Sequence, residues 1–444
     1  MKKIFLVIIM LIFIKESCVF SHAESFDILD KYIAQYVNEN PFDKSFENPF
    51  ESQLEGSISN DNQSSNQSQN VYSQRVVLGD EQILNDEYRY LIDGKRVGAI
   101  VNQTSVNANG QNLKDVLYNY KNTRLTSLYA PEHGIDGNIK AGDYVSTRKD
   151  VSTGLPVYSL YGDTREPSKA MLDNIDVMLF DLQDIGARTY TYISTMYKSM
   201  EACKKYNKTF VVLDRPNPVS CKYVEGFMLE DVAKSFVGID NMPMAHGMTA
   251  GELARYFNRN IGVNLVVIPM KNYSRDMIWQ DTGLKFKQTS PYIPDIKSAF
   301  GYMATGSSEN MGIGMSDFFN WSGGKDINSS LLAQRLNSYN LPGVNFVAQT
   351  KGQSGGVRLD VYDYHLFNPG KTGYYIIATA NEQKKLVTNL YEKNGKPSMF
   401  YKITGNKAFA QAIDAKKLAI EIESMYRNQA DSFRENTKKY YLYK

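Results

Sequence analysis

Cysteine, tryptophan and unbalanced charge are all scarce in this chain. Of 444 residues, three are cysteine and two are tryptophan. Cys18 lies near the start, so only Cys203 and Cys221 are placed to pair, and their spacing gives neither a disulfide scaffold nor a zinc-ligand pattern. The 50 Lys and Arg residues nearly cancel 48 Asp and Glu, leaving a net charge of +2 with no basic run. Nothing therefore marks a nucleic-acid surface. The apolar run Ile4 to Ile14 is shorter than the ~20 residues a spanning helix needs. No G-x-G-x-x-G follows the first strand and no Walker sequence occurs, so a nucleotide cofactor has no phosphate cradle. H-x-x-x-H spacing is also absent; neither a cofactor nor a metal is expected.

What is present begins with Met1-Lys2-Lys3, the apolar run, and small residues at Ser21 and Ala23. This reads as an export signal over residues 1–23, with an uncleaved membrane anchor as the alternative. It implies a secreted or cell-envelope protein. Residues 24–75 are rich in Asn, Gln and Ser, bury too little apolar surface to offset ordering entropy, and read as a polar tether.

From residue 76 the pattern changes. Arg96 to Asn102, Arg124 to Ala130, Asp176 to Leu182, Thr209 to Asp214 and Asn264 to Met270 read as strands, apolar nearly throughout. Helical spacing separates several of them, at Leu113 to Tyr120, Thr191 to Tyr206 and Thr249 to Asn260. In the last, Thr249 and Glu252 have capping-box spacing. Apolar strands alternating with helices predict an α/β domain over 76–290, a mostly parallel sheet covered on both faces. Beyond Pro291 the rhythm loosens. Val357 to Asp363 reads as a strand, Lys371 to Ala380 as a strand or a helix start, and the C-terminus as amphipathic helix. A smaller α+β domain is expected over 291–444.

Ligands of an open parallel sheet bind outside the carboxyl ends of its strands. Four such ends carry chemistry: Asn102-Gln103-Thr104-Ser105, Pro131-Glu132-His133-Gly134, Gln183-Asp184 through Arg188 and Tyr190, and Asp214-Arg215-Pro216-Asn217. His246, before the Thr249 helix, adds another polar group. Each has a plainer reading. Glu132 pairs with a lysine, His133 and His246 are structural hydrogen-bonders, Arg188 and Arg215 make ion pairs, Asn217 makes a turn, and Tyr190 and Tyr192 are core. Their joint occurrence favours a site. Carboxyls for proton transfer, amides and arginines for hydroxyls and acidic groups, and tyrosines for ring faces compose a sugar site.

The motifs around these residues, including "YAPEHGIDG", "GLPVYSLYG", "TREPS", "DVMLFDLQDIGARTYTYISTM", "FVVLDRPNP" and "MPMAHGMTAGELARYFN", resemble the exo-β-N-acetylmuramidase (NamZ-like) glycosidases. The resemblance implies a Rossmann-like domain with a small partner domain. It also implies an exported hydrolase that releases N-acetylmuramic acid from the non-reducing end of peptidoglycan fragments, namely muropeptides or disaccharides. On that basis Glu132 is expected to be the general acid. Asp184 is the expected second carboxylate, with Asp181 and Glu225 as rivals and substrate assistance as an alternative. Asn102, Gln103, His133, Gln183, Arg188, Tyr190, Arg215, Asn217 and His246 are expected to bind substrate, and Arg188 or Arg215 to meet the lactyl acid. Where family members carry Ser-Glu-Gly-Arg-Gly, this chain has Ile313 at the arginine position, within Ala304 to Gly324. A non-catalytic glycan-binding module and a hydrolase of N-acetylglucosamine are the competing readings.

Overall fold

Every residue of the strand Val177–Asp181 is buried, which is why its sequence shows no polar alternation. Its side chains point to opposite faces in turn. Met178 and Phe180 join one apolar cluster with Met196, Met200 and Phe257. Val177 and Leu179 join another with Leu113 and Leu117. Helices therefore cover both faces, as continuous hydrophobicity requires.

The computed structural model describes residues 74–444, which lie within one compact unit. The expected signal and nearly all of the expected tether fall outside the described residues. Among the described residues no helix is long and apolar enough to cross a membrane. A seven-stranded sheet is built from β1 (Arg96–Val101), β2 (Arg124–Ala130), β3 (Arg148–Lys149), β4 (Pro156–Ser159), β5 (Val177–Asp181), β6 (Thr209–Leu213) and β7 (Leu265–Ile268), in the order β3-β4-β2-β1-β5-β6-β7. All pairings are parallel except β3 with β4. The chain moves outward from β1 through β2 to β4, then returns to the other side of β1 at β5. The carboxyl ends of β1 and β5 thus flank a topological switch point, where such sheets open a crevice.

Helices α1 (Leu113–Asn119), α2 (Lys169–Leu172), α3 (Tyr192–Lys205) and α4 (Ala250–Ile261) accompany this sheet. Thr249 caps α4 through the expected box with Glu252. The sequence reading missed β3 and β4, which lie in its Gly-rich excursion and are too short to establish a period. A second, antiparallel sheet follows, of order β10-β11-β9-β8, from β8 (Gly314–Ser316), β9 (Trp321–Lys325), β10 (Val344–Ala348) and β11 (Ser354–Val361). It packs with α5 (Ile296–Thr305), α6 (Ser329–Asn337) and α7 (Pro369–Gln383). The segment left open between strand and helix is α7, started by the Asn368 side chain on Lys371 N–H and by Pro369 in the first turn. Gly352 to Gly356 spells G-x-S-x-G, but Ser354 opens an antiparallel strand rather than a strand–helix elbow. After α8 (Met399–Thr404), the helical C-terminus breaks between α9 (Lys407–Asp414) and α10 (Ala419–Thr437), with Lys416 at φ 53°. One apolar cluster runs from Ile100 to Phe433, so the two sheets share a core. Cys203 and Cys221 are both buried free thiols.

Candidate active site

The turns after β1 and β5 are tied together at the switch point. Thr104 Oγ1 accepts from Gln183 N–H at 3.1 Å, and the Ser105 hydroxyl donates to the Asp181 carbonyl. Gly186 turns the β5 loop at φ 81°, where an added Cβ would stand 2.4 Å from Asn217 Oδ1. Only glycine lets this loop close on the one after β6.

Glu132 follows β2 directly and is 7% exposed. Its Oε1 accepts from Gly142 N–H at 3.0 Å and its Oε2 from the Thr191 hydroxyl at 2.5 Å. The Tyr161 phenol lies close enough to feel its charge. Thr191 is the N-cap residue of α3, yet its side chain makes no cap bond. A threonine there ordinarily caps its helix; here the hydroxyl holds Glu132 instead. Burial and the Glu132 charge raise the Tyr161 phenol. Burial also raises Tyr192 and Tyr302, and the Glu132 charge adds to both. All three stay neutral phenols near the carboxyl, with Tyr192 donating to the Thr289 carbonyl and Tyr302 bonded to Thr189.

A second group surrounds Asp184. Its Oδ2 accepts from Gly186 N–H at 2.7 Å and stands 3.8 Å from His246 Nε2. Because His246 Nδ1 accepts from Met248 N–H, the proton of the neutral ring belongs on Nε2, facing the acid. Tyr190 packs edge-on to Tyr192 and Tyr302, with ring centroids 4.7 and 5.9 Å away. Asp184 Oδ1, His246 Nε2, Tyr190 OH, Gln183 Oε1 and Gln103 Oε1 are buried without a hydrogen-bond partner. Buried polar atoms are normally satisfied; a run of unsatisfied ones on adjacent loops marks where a polar ligand belongs.

Other expected binders hold the frame. Asn102 is fully buried, with its amide nitrogen on the Tyr192 hydroxyl at 2.9 Å and its oxygen on Thr104. Gln103 and Gln183 donate to backbone carbonyls of the 288–289 segment and of Pro216. Asn217 joins Met248 O to Val219 N–H. His133 Nδ1 bonds Ile139 O at 2.8 Å, and its ring meets Tyr192 edge-on. Arg188 is 1% exposed and reaches the carbonyls of Met242 and Ile403; burial lowers it to about 10. Arg215 is gripped by Asp181 and Asp80 and by the Val106 carbonyl. The ion-pair reading therefore holds for Arg215, and the rival acid Asp181 is its partner. Glu225, the other rival, is bound by Asn368, Tyr426 and Arg427. Neither rival faces the Glu132 group through these contacts.

Asp80 escaped the sequence reading because it precedes β1 in no recognisable element. Gly79 permits its approach: a Cβ there would lie 2.4 Å from Asp214 N. One cation between two buried acids leaves a negative excess. Burial pushes Asp80 up to about 7 against the pull of Arg215, and the Asp181 charge adds to the rise. The folded chain then holds the Asp80 proton more tightly than the unfolded chain does. This contribution to stability is complete below about pH 4 and lost as pH rises through about 7. Asp80→Asn, which keeps a bond to Arg215, is expected to flatten the fall in urea-unfolding free energy over that window.

The N-terminal model of the exo-β-N-acetylmuramidase NamZ matches residues 97–297 and its C-terminal model matches 300–443. The chain belongs to the NamZ family. It is 39% identical over 387 residues, 83% of this chain and 92% of the relative, to the peptidoglycan β-N-acetylmuramidase NamZ of Bacillus subtilis strain 168. Two crystal structures of DUF1343 family proteins from Bacteroides fragilis NCTC 9343 share the fold. One has a TM-score of 0.74 at 34% identity, covering 83% of this chain and 99% of that one; the other has 0.64 at 25%, covering 84% and 99%. NamZ membership makes the chain a glycoside hydrolase of the muramidase type. Ile313, expected from the sequence to stand where the family motif has arginine, is 3% exposed and packed in the shared core.

Proposed function

We propose that this enzyme releases N-acetylmuramic acid from the non-reducing end of peptidoglycan fragments at the cell envelope, with Glu132 as general acid and Asp184 as the second carboxylate. The observation that carries the reading is the setting of Glu132. Oε1 meets an obligate donor, Gly142 N–H, so a proton on this carboxyl belongs on Oε2. There it meets the Thr191 hydroxyl, which can accept as well as donate. The carboxyl is thus held in one orientation whether or not it is protonated, as a group that gives up and regains a proton requires. Asp184 keeps an unpartnered oxygen beside His246 and Tyr190, suited to stabilising positive charge at the sugar or to engaging its hydroxyls.

The test is incubation of the protein with muropeptides and, in parallel, with chromogenic β-glycosides of N-acetylmuramic acid and N-acetylglucosamine. Free N-acetylmuramic acid and selective cleavage of the muramyl glycoside are expected. Preferential cleavage of the glucosaminide, or cleavage inside long glycan strands without free monosaccharide, would contradict the reading.

A further inference from the structure

A muramyl substrate differs from a glucosaminyl one by a lactyl ether that ends in a carboxylate. The arginines expected to meet it are committed elsewhere, Arg215 to two aspartates and Arg188 to two backbone carbonyls. A third arginine lies over Tyr161, a phenol in the Glu132 surroundings. Arg165 is solvent-exposed, on the loop after β4. Its guanidinium carbon stands 5.7 Å from the centroid of Tyr161 and 4.7 Å from that of Phe236. Tyr161 is the phenol that feels the Glu132 charge, and Phe236 packs against it with ring centroids 5.9 Å apart. No carboxylate among the described residues forms a salt bridge with Arg165.

Stacking occupies the faces of a guanidinium and leaves its N–H edge free. That edge matches a carboxylate bidentately, and the stack removes part of the freedom otherwise lost on binding. The lactyl ether is carried on C3, two ring carbons from the anomeric carbon of the scissile bond. Its receptor therefore belongs about one ring away from the proton donor, and the shared phenol Tyr161 puts Arg165 there. We propose that Arg165 binds the lactyl carboxylate and selects muramyl over glucosaminyl substrates. The proposal rests on the muramidase reading above and adds the residue that sets its specificity.

The experiment compares kcat/KM on a chromogenic N-acetylmuramide, on its lactyl methyl ester and on the N-acetylglucosaminide, for the full chain and for Arg165→Met and Arg165→Lys. The parent enzyme is expected to favour the free acid over the ester by about 10-fold or more. Arg165→Met should lose about 10- to 100-fold on the acid, chiefly in KM, and change little on the ester, so that the preference collapses. Arg165→Lys should retain part of the preference, since charge survives without the fork; it also serves if the Met variant does not fold. Equal losses on acid and ester, or no loss on either, would overturn the proposal, as would a parent enzyme indifferent to esterification. A parent enzyme that cleaves no muramyl substrate would instead overturn the muramidase reading itself.

Discussion

Glu132→Gln is expected to lower kcat on a muropeptide by about 10³-fold, a loss of roughly 4 kcal/mol of transition-state stabilisation. The substitution keeps the shape of the side chain. An amide oxygen still accepts from Gly142 N–H, and the amide nitrogen still meets Thr191. What disappears is the transferable proton. KM and the melting temperature should therefore change little, and circular dichroism with steady-state kinetics on one preparation checks all three. Near-parental turnover would remove Glu132 from the mechanism.

Arg215→Leu carries the largest expected effect on stability. The Arg215 side chain is 3% exposed and is the cation between Asp80 and Asp181, whose side chains are even less accessible. Taking it away leaves two buried acids without a counter-charge, and breaking such a pair costs about 3–5 kcal/mol. That is a large share of the ~5–15 kcal/mol that holds a typical protein folded. The variant should show a clearly lower urea midpoint at neutral pH. The deficit should shrink toward about pH 5, because an acid that can be protonated no longer needs its partner. An unchanged midpoint would mean that the triad does not form.

Most strands were legible because they are buried on both faces, so β1, β2, β5 and β6 appear as apolar runs; the edge strand β7 is apolar in sequence although only partly buried. The position of the candidate site follows from the same runs: polar groups such as Glu132 and Asp184 stand where they stop. Side-chain direction was not. Arg215 occupies a strand end, as the sequence indicates, but folds back onto Asp181 and onto Asp80, which comes from a single 3-10 turn ahead of β1. Arg188 lies two residues past Gly186 and turns instead toward the Ile403 carbonyl. The partners of Glu132 were hidden differently. Thr191 looks like a helix cap, and its hydroxyl is recognisable as a site group only once the missing cap bond is seen. Tyr161 and Arg165 follow a four-residue strand too short to announce itself, and Phe236 reaches them from 75 positions beyond Tyr161. Sequence spacing placed the loops; the choice of which charges face inward depended on contacts between segments far apart in the chain.

Delivery of the proton to the departing oxygen is the role proposed for Glu132. It is tested most directly by the leaving-group dependence of Glu132→Gln. With a muropeptide or disaccharide, whose leaving alcohol needs protonation, the variant should be about 10³-fold slower than the parent. With a 2,4-dinitrophenyl N-acetylmuramide, whose leaving group departs as a stable anion, the deficit should shrink to about 10-fold or less. An equal deficit on both substrates would contradict the claim and leave Glu132 a role in binding or in charge stabilisation.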